Sequence, residues 1–263
     1  MSIIITRQME SLVTSFVNRK RDSWKFAALT AYDYPMGRLL DDLGLDFLLV
    51  GDSLGMVVLG YPDTTSVTIE DMVHHTRAVT RGVNKTPVIA DMPAHSIDTE
   101  ATAVLNARKL MDAGAQGVKP EGGEELLPMI QAILSEGIPV LGHIGMLPQR
   151  VKEEGGYRIK GKTPQQAGQL VKDALALDKA GVSAMVLELV TPAVAESISQ
   201  QTRVPTIGIG SGKGCDGQIL VTYDLLGMFP WFKPRFVHPK VNLATQIQTA
   251  VSEFVEECRA GGK

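Results

Sequence analysis

The chain has 263 residues, 44% of them hydrophobic, with 26 basic and 29 acidic side chains and a formal charge of −3. That length fits one large domain with a sizeable core, and the balanced charge gives no footprint for nucleic acid or a membrane surface. The two cysteines, Cys215 and Cys258, form neither a CxxC pair nor a disulfide framework, and no secretory leader or long apolar run stands out, so a reducing, cytoplasmic compartment is expected.

A helical extension is expected over residues 1–22. Short apolar runs then alternate with helical patterns. The runs are Phe26–Ala31, Phe47–Val50, Pro87–Ala90, Gly117–Val118, Pro139–Leu141, Ala184–Leu187, Val204–Ile209 and Arg235–Val237. Several are apolar on both faces, which suits parallel strands with helices on one side and a barrel core on the other. Between them, Ile69, Met72, Val73, Thr76 and Val79 share one helical face. Thr163-Pro164-Gln165-Gln166 reads as a helix start with a capping-box glutamine, and Val171, Ala174, Leu175 and Leu177 continue that helix until Gly181 stops it. Pro62–Val67 and Val151–Lys162 read as long loops.

One unit recurs. Leu40-Asp41-Asp42-Leu43-Gly44, Leu110-Met111-Asp112-Ala113-Gly114 and Leu177-Asp178-Lys179-Ala180-Gly181 each lead into a buried strand that ends near an acid, at Asp52, Glu121 and Glu188 respectively. Acids at the C-terminal ends of strands are how a (β/α)₈ TIM barrel builds its site. The expected fold is therefore an α/β (β/α)₈ barrel in a single domain, 1–263. A doubly wound open sheet, with ligands at a switch point, is the alternative.

Asp52 and Asp91 each follow an apolar strand and together would make a hard-oxygen site of the kind magnesium takes. Either could instead cap the next turn. Lys119 and Glu121, two apart, face the same way if the strand reaches them: a cation for a substrate carboxylate and a third acid near the metal, or simply a local ion pair. Glu188 closes the run Ala184-Met185-Val186-Leu187. Partial desolvation there would make it a better proton acceptor near neutral pH, or it is a buried acid paired with a base. His143 reads first as hydrogen-bonded structure, and His74 and His75 as surface or packing residues on a helix. Ile207-Gly208-Ile209-Gly210-Ser211-Gly212 could cradle an anion but matches no P-loop, and Cys215 reads as inert.

Taken together, these stretches resemble the ketopantoate hydroxymethyltransferase family. The matching segments are Thr30-Ala31-Tyr32-Asp33, Val50-Gly51-Asp52-Ser53-Leu54-Gly55-Met56, Val118-Lys119-Pro120-Glu121-Gly122-Gly123, Gly142-His143-Ile144-Gly145-Met146, Gly155-Gly156-Tyr157, Leu187-Glu188 and Cys215-Asp216-Gly217-Gln218, with Asp224-Leu225-Leu226-Gly227 and Pro234-Arg235-Phe236-Val237 near the end. The resemblance implies a barrel of the phosphoenolpyruvate/pyruvate-binding type. It implies Mg²⁺ on Asp52 and Asp91 with Glu121 near or on the metal, substrate contacts from Asp52, Ser53, Asp91 and Lys119, and Glu188 as catalytic base. It also implies transfer of a one-carbon unit from 5,10-methylenetetrahydrofolate to 3-methyl-2-oxobutanoate, giving 2-dehydropantoate on the way to pantothenate, and a homo-oligomer, a decamer. Pro120, Leu189 and Tyr223 depart from the family pattern. Pro120 lacks a ladder N–H and puts the aim of Lys119 and Glu121 in question. The alternative function is a Mg-dependent 2-hydroxy-acid lyase of a related barrel family, whose KKCGH-type loop is absent from this sequence.

Overall fold

Apolar runs of four or five residues become strands here because helices cover their outer faces and their inner faces meet around one axis. The computed structural model describes Leu12 and residues 14–261. The strands are β1 (Phe26–Thr30), β2 (Phe47–Val50), β3 (Val88–Asp91), β4 (Gly117–Lys119), β5 (Leu141–Gly145), β6 (Ala184–Glu188), β7 (Thr206–Ile209) and β8 (Gly217–Leu220). The helices are α1 (Tyr34–Leu40), α2 (Leu54–Val57), α3 (Ile69–Gly82), α4 (Glu100–Asp112), α5 (Leu127–Ser135), α6 (Pro164–Ala180), α7 (Pro192–Gln201), α8 (Thr222–Leu226) and α9 (Leu243–Arg259). The sheet order is β4-β3-β2-β1-β8-β7-β6-β5, all recorded pairs being parallel. A bridge between Val118 and Val140, with the Val118 N–H donating to the Pro139 carbonyl at 2.9 Å, joins the two ends into a nearly closed barrel.

The barrel interior holds Phe26, Ala28, Phe47, Leu49, Ile89, Leu141, Ala184, Val186, Ile207 and Ile219. Residues 14–21 are helical, and Phe16 together with Leu12 joins this cluster, with the Phe16 ring 5.3 Å from that of Phe26. Residues 1–11 and 13 of the expected N-terminal extension lie outside the described residues. The core alternates along each strand, so its parity fixes what points inward further on. Two residues past Ile89, Leu141 and Val186 stand Asp91, His143 and Glu188.

Local chemistry sets the ends. The α3 helix starts at a full capping box between Thr68 and Asp71. The α6 helix starts at Thr163, whose side chain accepts from the Gln166 N–H, but the Gln166 side chain reaches back to Lys162 N rather than to the cap, so the box is incomplete. Gly181 ends α6 at φ 94°, a conformation that favours glycine.

Two strand assignments differ from the sequence reading. Arg235–Val237 is a turn after Pro234, closed by the Val237 N–H on the Pro234 carbonyl at 3.1 Å. The eighth strand is Gly217–Leu220, a run whose glycine and glutamine give little strand signal. Glycine is required there, since a Cβ on Gly217 would stand 2.6 Å from the Phe26 carbonyl oxygen of β1. In addition, β5 begins later than expected and takes in Gly142-His143-Ile144-Gly145.

The described residues fall into two compact units divided after Ile219. The first carries the barrel. In the second, α8 ends at Gly227 in the left-handed conformation, and the Asn242 side chain caps α9 through the Thr245 N–H at 3.2 Å. Among the described residues no helix is long and apolar enough to cross a membrane.

Candidate active site

Asp52, Asp91, Lys119, Glu121 and Glu188 follow or end β2, β3, β4 and β6 at their C-terminal ends, and His143 lies within β5. All are buried except Glu188, which is half-buried. Asp91 and Lys119 are register partners on β3 and β4, and Lys119 Nζ lies 3.0 Å from Asp91 Oδ1 and 3.6 Å from Glu121 Oε1. Pro120 therefore leaves both neighbours aimed into the site. It falls just past the end of β4, where its missing N–H interrupts no ladder.

His143 stands at the centre. Its Nδ1 lies 3.0 Å from Lys119 Nζ and 3.4 Å from Glu121 Oε1, and its Nε2 lies 3.4 Å from Glu188 Oε2. Burial and the Lys119 charge disfavour the imidazolium, while Glu121 and Glu188 favour it and bring its pKa up to about 9. The Lys119 contact argues the other way. It is a hydrogen bond only if Nδ1 is unprotonated and accepts. We take His143 as neutral, because its Nδ1 faces the Lys119 ammonium at 3.0 Å and can accept that hydrogen bond only without a proton of its own. The remaining proton then sits on Nε2, toward Glu188.

The acids carry a charge excess. Burial, then the charges of Glu121 and Asp91, push the Asp52 carboxyl well above its ordinary range. Burial also raises Asp91, against the pull of Lys119. Burial disfavours the Lys119 ammonium, yet Asp91, Glu121 and Asp52 hold it protonated above its ordinary value. Burial would raise Glu121 too, but His143 and Lys119 hold it low. With all three carboxylates ionised against one ammonium, the buried cluster carries two net negative charges, which a proton held on Asp52 or a bound cation would offset. Asp91 Oδ1 is buried against the Lys119 ammonium at 3.0 Å. Among the described residues no three His, Cys, Asp or Glu side chains form a ready-made cage. The donor set suits magnesium, which takes one or two carboxylates and fills the rest with water and substrate oxygens.

Other anticipated residues fall into place around this centre. The Ser53 hydroxyl is 2.9 Å from the Tyr32 hydroxyl, at the start of α2. His75 Nδ1 contacts the Tyr32 carbonyl at 2.6 Å and His74 is exposed, both outside the cluster. The glycine-rich segment after β7 is occupied by packing: Ser211 Oγ donates to the Leu187 carbonyl at 2.6 Å and accepts from the Val190 N–H at 2.9 Å. Cys215 is buried, and burial raises its thiol.

Two residues were not anticipated. Gln149, in the turn Pro148–Arg150, donates from Nε2 to Asp52 Oδ2 at 2.8 Å and to the Met92 carbonyl at 2.9 Å. The Tyr157 hydroxyl reaches Met56 Sδ at 3.7 Å, and burial, with Glu188 and Asp52 nearby, raises its phenol. Only the Gly-Gly-Tyr spelling hinted at Tyr157. Nothing in the sequence marked Gln149.

An inward-facing acid–base cluster at the C-terminal mouth of a parallel barrel defines a (β/α)₈-barrel enzyme. Solved structures with this fold include phosphonopyruvate hydrolase (TM-score 0.64, 14% identity, 97% of this chain and 88% of that one). They also include 2,3-dimethylmalate lyase, a member of the PEP mutase/isocitrate lyase superfamily (TM-score 0.62, 16% identity, 95% and 88%). Within that fold, the chain belongs to the ketopantoate hydroxymethyltransferase family, whose model matches residues 11–262. Relatives named 3-methyl-2-oxobutanoate hydroxymethyltransferase are 49% identical in Acetivibrio thermocellus (94% of this chain, 88% of the relative) and 48% identical in Enterococcus faecalis (96% and 93%). A third, from Ignicoccus hospitalis, is 46% identical over 95% of both chains.

Proposed function

We propose that the protein transfers a one-carbon unit from 5,10-methylenetetrahydrofolate to 3-methyl-2-oxobutanoate with uptake of water, giving 2-dehydropantoate and tetrahydrofolate, and that it does so with Mg²⁺ in the cytoplasm. The observation that carries this reading is the buried ammonium of Lys119 among Asp52, Asp91 and Glu121, facing Glu188 across His143. Close relatives are named for this activity, and a solved phosphonopyruvate hydrolase of the same fold holds oxalate with Mg²⁺ (TM-score 0.62, 15% identity).

Asp52 and Asp91 would hold the cation, with Glu121 beside it. When bound, it would supply Lewis acidity that stabilises negative charge at the keto oxygen. Lys119 would bind the substrate carboxylate, and the Ser53 hydroxyl, set by Tyr32, would add a donor. Glu188 would accept the C3 proton, with its carboxylate 3.4 Å from His143 Nε2. The one-carbon unit would exchange its two C–N bonds to the folate for a bond to C3 and a hydroxyl from water, while the proton from C3 and the remaining proton of water go to the two folate nitrogens. All these groups must meet one bound molecule, and they lie at or just past the C-terminal ends of neighbouring strands. A lyase reading on the same scaffold has no residue in its favour here.

Assembly into a homo-oligomer, a decamer, belongs to the same proposal. Support comes from α9, where Ile247, Val251 and Phe254 lie on one helical face at 50, 55 and 62% exposure. A monomer mass by light scattering would remove it. The function is tested by incubating the protein with 3-methyl-2-oxobutanoate, methylenetetrahydrofolate and Mg²⁺. 2-Dehydropantoate should form, and its absence would reject the reading.

A further inference from the structure

Gln149 takes no part in the chemistry above, yet it touches three of the segments that carry it. It follows β5 by way of Gly145, which lies at φ 104° and where a Cβ would stand 2.3 Å from the Glu188 carbonyl oxygen. The chain can therefore turn close across β6 and lay Pro148–Arg150 over the mouth. There the Gln149 backbone N–H donates to Glu121 Oε2 at 3.1 Å, while Nε2 donates to Asp52 Oδ2 at 2.8 Å and to the Met92 carbonyl at 2.9 Å. A primary amide nitrogen has two hydrogens, and both are used. The acceptors follow β4, β2 and β3, so one residue after β5 ties together the ends of three other strands.

The effect on the acids is selective. Gln149 engages one oxygen of Asp52 and one of Glu121. The Asp52 N–H engages Asp91 Oδ2 at 3.0 Å, and Asp91 Oδ1 faces the Lys119 ammonium at 3.0 Å. We propose that Gln149 is a positioning residue that fixes the rotamers of Asp52 and Glu121 and so prepares the site for its divalent cation. The inference rests on the magnesium reading given above. Glutamine suits the place chemically. A glutamate would set a fourth carboxylate against Asp52, and asparagine is one methylene short of reaching both acceptors from this backbone position. The segment is also held from outside, by Lys152 on Thr65 Oγ1 at 2.7 Å and on Asp63 Oδ2 at 3.3 Å, so losing one side chain should not release it.

The test is Gln149→Met, which keeps the length of the side chain and removes its donors. Mg²⁺ affinity is measured by titration calorimetry with saturating 3-methyl-2-oxobutanoate, alongside thermal melting and turnover as a function of Mg²⁺. The variant should melt like wild type, bind Mg²⁺ about 10- to 100-fold more weakly, the size expected for a lost charge-assisted hydrogen bond, and regain most of its kcat at saturating Mg²⁺. Wild-type Mg²⁺ affinity in a folded Gln149→Met protein would overturn the proposal. So would lower kcat at all Mg²⁺ concentrations with unchanged affinity. If Gln149→Met does not fold, Gln149→Ala serves for the same measurement, and failure of both to fold would show that the residue holds the fold and not the site. Wild-type protein that binds no Mg²⁺ would instead reject the underlying magnesium reading.

Discussion

At the N-terminal end of the barrel strands, Asp41 accepts hydrogen bonds from the backbone N–H groups of Asn84, Lys85 and Thr86 at 2.9 to 3.0 Å. Asp178 does the same for Arg203 and Val204, and also takes the Arg203 side chain at 3.0 Å. Asp46 accepts from Ala27 N–H at 2.6 Å and pairs with Arg19. At the C-terminal end, Asp52 and Asp91 are as deeply buried, but they face Glu121 and each other across a single ammonium. Asp41 and Asp52 are shifted in opposite directions. Burial raises Asp41, but its backbone donors outweigh that and hold it below the ordinary carboxylate range, whereas burial and like charges raise Asp52. A buried acid satisfied by backbone donors stabilises the fold, and one left facing other acids waits for a ligand.

The sharpest way to break this comparison is to remove one acid from each end. Asp91→Ala should lose activity by about 100-fold or more, since loss even of outer-shell support commonly costs 10–100-fold, while melting no lower than wild type. Asp41→Ala should behave inversely. Three stranded N–H groups should cost about 3 kcal/mol, read as a lower Tm, with kcat per folded molecule unchanged. If Asp91→Ala unfolds, or Asp41→Ala folds normally but is inactive, the division between the ends is wrong.

Lys119 tests the excess charge itself. Lys119→Met should weaken keto-acid binding about 10- to 100-fold, by loss of a charge-assisted contact, measured as the substrate Kd in the presence of Mg²⁺. Unchanged affinity would mean that the ammonium serves only its acidic neighbours.

The smaller effect is in pH dependence, measured by thermal melting with EDTA present. Asp41 titrates lower folded than unfolded, so its stabilisation is present above about pH 4 and is lost as pH falls through its folded value. Asp52 titrates higher folded than unfolded, so stability declines as pH rises from about 4 toward its folded value. Asp41→Asn should flatten the acid limb, and Asp52→Asn should flatten the decline above it. The same slopes in both variants would contradict the assigned shifts.

The barrel was legible because its repeat is. Leu-Asp-x-x-Gly before a strand recurs, and Gly44 and Gly181 do take positive φ at 77° and 94°. The repeat also holds a second message that spacing alone does not reveal: Asp41 and Asp178 occupy its same position, and each ties down the entry to the strand one beyond the one it leads into, β3 and β7. Asp91 and Glu188 were readable because each continues the inward parity of an apolar strand. His143 reads from the sequence as hydrogen-bonded structure, and it does bond to Lys119 Nζ at 3.0 Å; its place among the acids is hidden because the apolar run stops at Leu141, two residues short of it. The eighth strand was misplaced because Gly217-Gln218 pairs by backbone, with little side-chain signal. Gln149 was invisible for a different reason. Its partners come from three other strands, and no local pattern encodes that crossing.

The central claim is that Glu188 removes the C3 proton of a keto acid held at this acid cluster, and that step needs no folate. Protein, Mg²⁺ and 3-methyl-2-oxobutanoate in D₂O should exchange the C3 hydrogen, followed by proton NMR. Glu188→Gln keeps the shape but loses the base, and should exchange about 10²- to 10⁴-fold more slowly while still binding Mg²⁺ and keto acid. Wild-type exchange in Glu188→Gln, or undiminished exchange in wild-type protein stripped of Mg²⁺, would contradict the account.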